Sequence, residues 1–348
     1  MAHPRETFSS QELAVVLSNY DLGIVLNVTD FPRGSHAAAK AVVHTDRGRY
    51  LLKRRPRAEK DLYRVAFSHE LQAYLASKNF PLPHLIGTRK DNVSMLKVGE
   101  SIYEVFEFIE GGPYDGQPGS TYEAGKILGL YHKLVHEFES QYEPPRGHYH
   151  DAKTVYDAFS RVEEIVMKSP TAKGRGPEVT RTILELSQAY ASAAQFVNDL
   201  GLNQWELQIV HSDWHPGNMI FRDGHVVAVI DYDAARIRPR VTDVANGCLQ
   251  FSLITGGRDL TTWVDRADDD RARRFLSGYD EINVLSQAEL KATPYLMQEA
   301  LIAQAIPPIL KTGTFAGLDA FAFLGVMLRK VRWLRSHADR IALDSSAT

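Results

Sequence analysis

Short apolar runs alternate with turn residues over the first third of the chain, and apolar residues follow a helical spacing over the rest. The early runs are rich in β-branched and aromatic residues, which predicts strands. These strands are Ile24–Val28, Ala38–His44, Arg49–Arg54, Met95–Val98 and Ser101–Phe106. A Ser9–Glu12 capping box predicts a helix before them, and helical spacing predicts another over Ala66–Lys78.

A Gly-Gly-Pro break at 111–113 separates this part from a remainder with helical spacing. The predicted helices are Tyr122–Phe138, Thr154–Lys168, Pro177–Leu200, Thr242–Thr255, Asp269–Asn283, Gln287–Gln304 and Phe315–Ala338. Residues 218–230 interrupt them as a predicted β hairpin that turns at Asp223-Gly224. We expect an α+β protein with a small β-rich lobe over 1–110, a larger helical lobe over 111–343 and a disordered tail over 344–348.

One segment, residues 209–234 (IVHSDWHPGNMIFRDGHVVAVIDYDA), combines acidic and amide side chains with the hairpin. Asn218 follows Asp213 by five residues, and the hairpin delivers Asp231 at the end of its second strand. Transfer of a phosphoryl group from ATP requires an acidic residue beside the acceptor hydroxyl and oxygen ligands for Mg²⁺, and these side chains are of the right types. The alternatives are an ordinary polar turn and a zinc-type H-x-D-x-H site at 211–215, but neither needs Asp231.

Composition and charge narrow the classes of protein. Of 348 residues, 44% are hydrophobic and 24% are charged, as in soluble globular proteins, and the net charge of −3 gives no reason to expect a nucleic-acid partner. The single Cys248 excludes an internal disulfide and fits a reducing compartment. Residues 1–11 lack the apolar core of a signal peptide, and Asp319 interrupts the apolar stretch near 315–328. We therefore expect a cytoplasmic protein without a membrane partner.

The order H-x-D-x-x-x-x-N, followed by a hairpin that ends in Asp, resembles the catalytic loop and metal-binding Asp of the protein-kinase superfamily. The wording HSDWHPGN and IDYD is more similar to the small-molecule branch, which includes aminoglycoside phosphotransferases, choline kinases and type II homoserine kinases. The resemblance implies a bilobal protein-kinase-like fold, ATP as co-substrate and Mg²⁺. It also implies that Asp213 is the catalytic base, that Asn218 and Asp231 bind the metal and that His211 braces the loop. A similar block, RPRVTDVANG, makes Asp243 a structural anchor of that loop.

A kinase also needs a lysine on a strand to hold the nucleotide phosphates and a helical glutamate to hold the lysine. Lys53 shares one face of its predicted strand with Leu51, so it can project into the nucleotide pocket. The following helix offers Glu70, and we expect a Lys53–Glu70 pair. Arg54 and Arg55 are rivals for phosphate binding, although Arg54 points to the opposite face of the strand.

The expected phosphate loop, residues 29–37, has one glycine and resembles the G-[ST]-x-N turn of homoserine kinases, with Ala37 in the Asn position. Backbone N–H groups at Gly34 and Ser35 are the predicted phosphate contacts. Main-chain groups between Glu107 and Ile109 are the predicted adenine contacts, because this segment leads into the hinge.

Only eleven residues separate Asp231 from Asp243, which leaves no room for the long activation loop of protein kinases and favours a small alcohol as acceptor. Homoserine or a related amino alcohol, an amino sugar and an aminoglycoside all stay open, as does the oligomeric state. A nucleotide-binding pseudokinase without turnover is the alternative from another class. Asp233 is the first candidate for acceptor binding, as a partner for an ammonium group, although it would also suit a helix N-cap or a residue that supports the metal ligands from behind. The other candidates are Tyr232, Trp214, Glu299 and Gln298.

Overall fold

The computed structural model of the chain describes residues 6–32, 38–55 and 62–343. Its N-terminal lobe is built on a five-stranded antiparallel sheet with the order β1-β2-β3-β5-β4. The strands are β1 (Val25–Asp30), β2 (Lys40–Thr45), β3 (Gly48–Arg54), β4 (Leu96–Val98) and β5 (Ser101–Glu107). Each end of these five strands lies within two residues of its predicted position. Gly34 and Ser35 of the expected phosphate loop, and the expected tail 344–348, lie outside the described residues.

Two helices flank this sheet, and the alternation of side chains along β3 decides what each of them contacts. The first, α1 (Ser10–Leu17), begins with the predicted Ser9–Glu12 capping box, and its Glu12 forms an ion pair with Arg54. The second, α2 (Leu62–Ser77), lies on the other face, where Lys53 points. One face of the sheet therefore covers a small hydrophobic core, and the other face carries Lys53 and contacts α2.

The C-terminal lobe contains helices packed around the larger hydrophobic core, into which α2 also inserts Phe67 and Leu71. The helices are α3 (Pro118–Val135), α4 (Lys153–Val166), α5 (Gly176–Asp199), α6 (Val241–Ser252), α7 (Asp269–Ile282), α8 (Gln287–Thr312), α9 (Ala320–Ser336) and α10 (Ala338–Leu343). The short strands are β6 (Gln208–Val210), β7 (Met219–Arg222), β8 (His225–Val229), β9 (Arg236–Arg238), β10 (Thr314–Phe315) and β11 (Leu318–Asp319). Strands β7 and β8 form the predicted hairpin, and β6 pairs with β9.

Two hydrophobic cores, one on the β-rich side and one on the helical side, confirm the prediction of an α+β protein with two unequal lobes. The boundaries at 110 and 343 stay a prediction. Over the ranges that the structure describes, no helix is both long enough and apolar enough to cross a bilayer.

Candidate active site

The loop between β6 and β7 carries the predicted catalytic residues, and one buried carboxylate sets its shape. Asp243, in the first turn of α6, accepts hydrogen bonds from the backbone N–H groups of His211 at 2.6 Å and Ser212 at 2.7 Å. His132 of α3 lies 3.3 Å from the same carboxylate. Because Asp243 is only 1% exposed, water competes little for these bonds, and the loop is tied to two helices.

Asp213 and Asn218 meet inside this loop. The Asn218 Nδ2 group donates to the Asp213 carboxylate at 2.8 Å and to the Asp213 carbonyl oxygen at 3.0 Å, which leaves the Asn218 Oδ1 atom available to another partner. Burial disfavours the charge on Asp213, but His215, at 3.5 Å, together with His211 and Asn218, outweighs burial and lowers its pKa. Asp213 is therefore ionised at neutral pH and can accept a hydrogen bond from a hydroxyl.

The hairpin brings Asp231 beside Asn218, because the N–H of Ile230 donates to the Asn218 carbonyl oxygen at 2.9 Å. Asp231 is exposed and has left-handed backbone angles, φ 68° and ψ 69°, a conformation that is uncommon for non-glycine residues. An amide oxygen and an exposed carboxylate side by side are donors that suit Mg²⁺.

The zinc-type alternative at 211–215 has no support in this geometry. His211 is fully buried, and its Nδ1 atom accepts the N–H of Asp213 at 3.3 Å. Across the described ranges, no three His, Cys, Asp or Glu side chains are placed to hold a metal ion together.

The structure corrects the predicted Lys53–Glu70 pair. The Lys53 ammonium lies 3.6 Å from Glu104 of β5 and 3.8 Å from Asp233. Glu70 instead accepts hydrogen bonds from Ser140 at 2.6 Å and Gln141 at 2.9 Å. Successive residues of an α-helix are turned by about 100°. Because His69, the preceding residue of α2, contacts Glu104, Glu70 faces away from the sheet.

Arg55 is a second cation beside Lys53. The sequence offered Arg55 only as a rival to Lys53 for phosphate binding. Its guanidinium pairs with both Asp233 oxygens, at 2.8 and 2.9 Å, and with Glu104 at 2.7 Å. Burial opposes the charge on Glu104, but Lys53, His69 and Arg55 outweigh it and lower its pKa to about 2. We call these five side chains, Lys53, Arg55, His69, Glu104 and Asp233, the interlobe ionic network, since Asp233 belongs to the C-terminal lobe.

This network also corrects the first acceptor candidate. Asp233 neutralises Arg55 and is not available to a substrate ammonium group. A carboxylate within the apolar run SIYEVFEF was the signal for Glu104 that the sequence offered, since a charge at such a position needs buried partners.

The expected hinge runs from β5 toward α3. Glu107 donates its N–H to His84, but no hydrogen bond of the Ile109 main chain is formed within the described ranges, so its N–H is available to an adenine ring. Gly111 packs so closely on β7 that a Cβ atom would lie 2.4 Å from Ile220 and 2.6 Å from the Phe221 carbonyl oxygen. Gly112 donates its N–H to the Phe221 carbonyl oxygen and accepts the Phe221 N–H at its own carbonyl oxygen. Hinge and hairpin are therefore one unit.

The remaining acceptor candidates are buried in the core. Trp214 is 0% exposed and donates to the Ala124 carbonyl oxygen, and Tyr232 is 2% exposed and packs against Tyr131. Glu299 is fully buried and holds His150 at 2.9 Å, and Gln298 is 2% exposed. None of these side chains is free to meet a substrate from solvent.

A cavity of about 430 Å³ opens instead beside Asp213. Two of its side chains, Asn246 and Gln250, follow Asp243 on one face of α6, and this helical spacing was a signal present in the sequence. Other residues come from distant segments that no local pattern connects. The polar side chains in its wall include Asp213, His148, Arg236, Asn246, Gln250 and Gln304.

A model of the phosphotransferase enzyme family matches residues 27–285, about three quarters of the chain. The chain belongs to this family. A homoserine kinase from Phenylobacterium zucineum is 23% identical over 313 residues, which are 84% of this chain and 83% of that protein. The family match confirms the predicted enzyme class, a phosphotransferase.

Solved structures show the same fold over nearly the whole chain. An aminoglycoside phosphotransferase from Alicyclobacillus acidocaldarius has a TM-score of 0.70 at 16% identity, with 97% of this chain and 99% of that chain covered. A microcompartment-associated aminopropanol kinase has a TM-score of 0.69 at 11% identity, with 96% and 99% covered. The bilobal, protein-kinase-like fold that the motifs implied is thereby confirmed.

Proposed function

We propose that this phosphotransferase moves the γ-phosphate of Mg·ATP to the hydroxyl of a small amino alcohol, with homoserine as the first candidate. One observation carries the proposal. The Asp213 carboxylate lines the 430 Å³ cavity and is also hydrogen-bonded to Asn218, the neighbour of Asp231. A hydroxyl in the cavity would therefore meet a base that adjoins two oxygen donors for Mg²⁺.

The residues divide the reaction between them. The acceptor oxygen forms a bond to the γ-phosphorus, the bond from that phosphorus to the β–γ bridging oxygen breaks, and Asp213 takes the hydroxyl proton. Asn218 and Asp231 would hold Mg²⁺, which neutralises charge on the phosphate oxygens when it is bound. Lys53 suits the phosphates because its ammonium lies 3.6 Å or more from its carboxylate partners, beyond hydrogen-bond distance.

Adenine recognition in this proposal falls to the main chain at Glu107 and Ile109, and Gly111 keeps this segment against the hairpin. Glu70 has no part in nucleotide binding. The interlobe ionic network holds Lys53 instead, because Glu104 is the carboxylate nearest to Lys53.

The cavity favours a small acceptor over a polycation. Its two carboxylates are Asp213 and Asp243, of which Asp243 is engaged by the loop N–H groups, while Arg236 adds a positive charge. Much of the rest is neutral, with Gln250 donating to Gln304 at 2.6 Å. An aminoglycoside carries several ammonium groups and would need a surplus of carboxylates. The homoserine kinase relative and the aminopropanol kinase fold agree with a small amino alcohol.

A phosphate-transfer screen tests the proposal. The purified protein is incubated with Mg·ATP and homoserine, 3-aminopropan-1-ol, choline, glucosamine or kanamycin, and the phosphorylated product is detected by ³¹P NMR. We expect the highest kcat/KM with a small amino alcohol. Thermal stabilisation by ATP without product from any acceptor would contradict catalysis and favour the pseudokinase, and transfer to kanamycin alone would contradict the acceptor class.

A further inference from the structure

Arg236 brings a positive charge to the acceptor cavity, and it forms no ion pair with any described residue. It lies on β9, whose pairing with Val210 fixes it next to the catalytic loop. Its Nε atom donates to the Ala234 carbonyl oxygen at 2.9 Å and its Nη1 atom to the Gly147 carbonyl oxygen at 2.8 Å. In the part of the chain that the structure describes, no carboxylate lies within 4.0 Å of this guanidinium. Two backbone carbonyls orient Arg236 and leave its Nη2 group for a ligand.

His148 adds a buried donor to the same cavity. Its Nδ1 atom accepts the N–H of His150 at 2.9 Å, so the proton of the neutral ring is on Nε2. Burial, reinforced by Arg238 and His150, lowers the pKa of His148 to about 3, so the ring is neutral at physiological pH. The Nε2 atom is buried and has no hydrogen-bond partner among the described residues. His148 is one of the residues that line the cavity, and a buried donor without a protein partner calls for an acceptor such as a water or a ligand.

A second guanidinium group lies beside Arg236. Arg238 donates to the same Gly147 carbonyl oxygen as Arg236, at 3.2 Å, so two guanidinium groups are held close together. Burial and the charges of Arg238 and Arg64 lower the pKa of Arg236, and they outweigh the opposing charges of Asp243 and Asp213. An anion bound here would relieve this repulsion.

We infer that Arg236 and His148 form an anion subsite that binds a carboxylate of the acceptor while the acceptor hydroxyl reaches Asp213. The inference rests on the proposed function and narrows it to hydroxy acids, of which homoserine is one. Amino alcohols without a carboxylate, such as 3-aminopropan-1-ol, would leave Arg236 and the His148 Nε2–H unpaired and so be poor substrates.

Two acceptors that differ only in the carboxylate test the inference. Homoserine and 3-aminopropan-1-ol share the primary hydroxyl, the spacing and the amine, and 3-aminopropan-1-ol lacks the carboxylate. We expect kcat/KM to be higher for homoserine by about 10- to 100-fold, the range expected for hydrogen bonds to a charged group. Arg236→Gln should remove most of this preference by raising the KM for homoserine, while kcat/KM for 3-aminopropan-1-ol stays within about threefold.

Further variants keep the test clear of folding effects. His148→Gln should reduce the same preference by about three- to tenfold. Arg146→Gln is the matched control, because Arg146 is 89% exposed near the same loop and should leave the preference unchanged. Homoserine binding in the presence of AMP-PNP, measured by calorimetry, gives a readout that needs no turnover. We expect it to weaken in Arg236→Gln and to stay within about threefold of wild type in Asp213→Asn.

Specific results would overturn the inference. Equal kcat/KM for the two acceptors would exclude a carboxylate subsite even though the proposed function stands. An equal loss for both acceptors in Arg236→Gln, with a raised KM for ATP, would assign Arg236 to the nucleotide phosphate. If no acceptor is phosphorylated, the proposed function fails, and homoserine binding that is unchanged in Arg236→Gln would then overturn the subsite as well.

Discussion

Replacing Arg55 by methionine removes the one residue, among those that the structure describes, that binds both Glu104 of β5 and Asp233 of the C-terminal lobe through short charge-assisted hydrogen bonds. Methionine preserves most of the volume of the side chain stem and removes the guanidinium. Lys53 stays near both carboxylates, but at 3.6 and 3.8 Å it does not replace these bonds. The substitution therefore isolates the charge that links the two lobes.

The structure gives the expected magnitude. Arg55 is 4% exposed, Glu104 is fully buried and Asp233 is 23% exposed, so the pairs lie in a low-dielectric setting. Removing one partner from a buried ion pair costs about 3–5 kcal/mol, because the other charge stays buried. Lys53 and His69 still compensate part of the charge on Glu104, so we expect the lower end, about 3 kcal/mol. For a protein of 348 residues, that corresponds to a fall in Tm of about 4 °C.

Urea unfolding at pH 7, followed by circular dichroism, measures this loss. Arg47→Met is the matched control, because Arg47 forms an exposed ion pair with Asp21 at 3.1 Å in the same lobe, and such pairs contribute about 0–1 kcal/mol. Arg55→Met combined with Asp233→Asn should show a coupling free energy of about 2 kcal/mol. If Arg55→Met costs no more than Arg47→Met, the reasoning about the interlobe ionic network is refuted.

Three further predictions follow from the same contacts. The pKa of Glu104 is about 2 in the folded chain and its ordinary value is 4.5, so the ionised carboxylate stabilises the fold fully above pH 4.5 and less below it. The difference in unfolding free energy between wild type and Glu104→Gln should therefore shrink by about 2 kcal/mol from pH 6 to pH 3. A difference that stays constant with pH would contradict this prediction. Glu70→Gln should leave the KM for ATP within about twofold, since Glu70 bonds Ser140 and Gln141, and a tenfold increase would restore the Lys53–Glu70 pair. Gly111→Ala should raise the KM for ATP about tenfold, because the added Cβ pushes the hinge away from β7. Gly112→Ala is the control and should leave the KM for ATP nearly unchanged, since a Cβ there meets nothing within 4 Å. Equal effects of the two substitutions would argue against the packing explanation.

Features that depend on neighbours in sequence could be predicted from it. The strands of the first lobe fall within two residues of expectation because β-branched runs between turn residues favour extended structure whatever packs on them. Asp213, Asn218 and Asp231 lie within one short segment, and a hairpin of local hydrogen bonds brings their ends together. The candidate base and metal ligands were therefore readable before any tertiary contact was known.

Features that depend on tertiary contacts could not be predicted. His69 and Glu70 are successive residues of α2, and only the packing of α2 on β5 decides which of them faces Glu104. Arg55 and Asp233 are 178 residues apart, so no local pattern connects them. Strands β6 and β9 have three residues each, too few for periodicity to show.

The acceptor candidates failed for a related reason. Trp214 and Tyr232 adjoin the catalytic residues in sequence, but their large apolar surfaces are buried around Tyr131. Glu299 is occupied by His150, which lies 149 residues away. Nearness to the catalytic loop in sequence indicated a residue's neighbourhood and not the direction of its side chain.

The assignment of Asp213 as the base is tested most directly by single-turnover transfer of ³²P from γ-labelled ATP to the best acceptor, with the affinity for Mg·ATP measured on the same samples. Asp213→Asn should slow transfer by about 10²- to 10⁴-fold while the affinity for Mg·ATP stays within about threefold. Asp223→Asn, in the exposed turn of the hairpin, is the control and should behave as wild type. Transfer by Asp213→Asn at the wild-type rate would contradict the account.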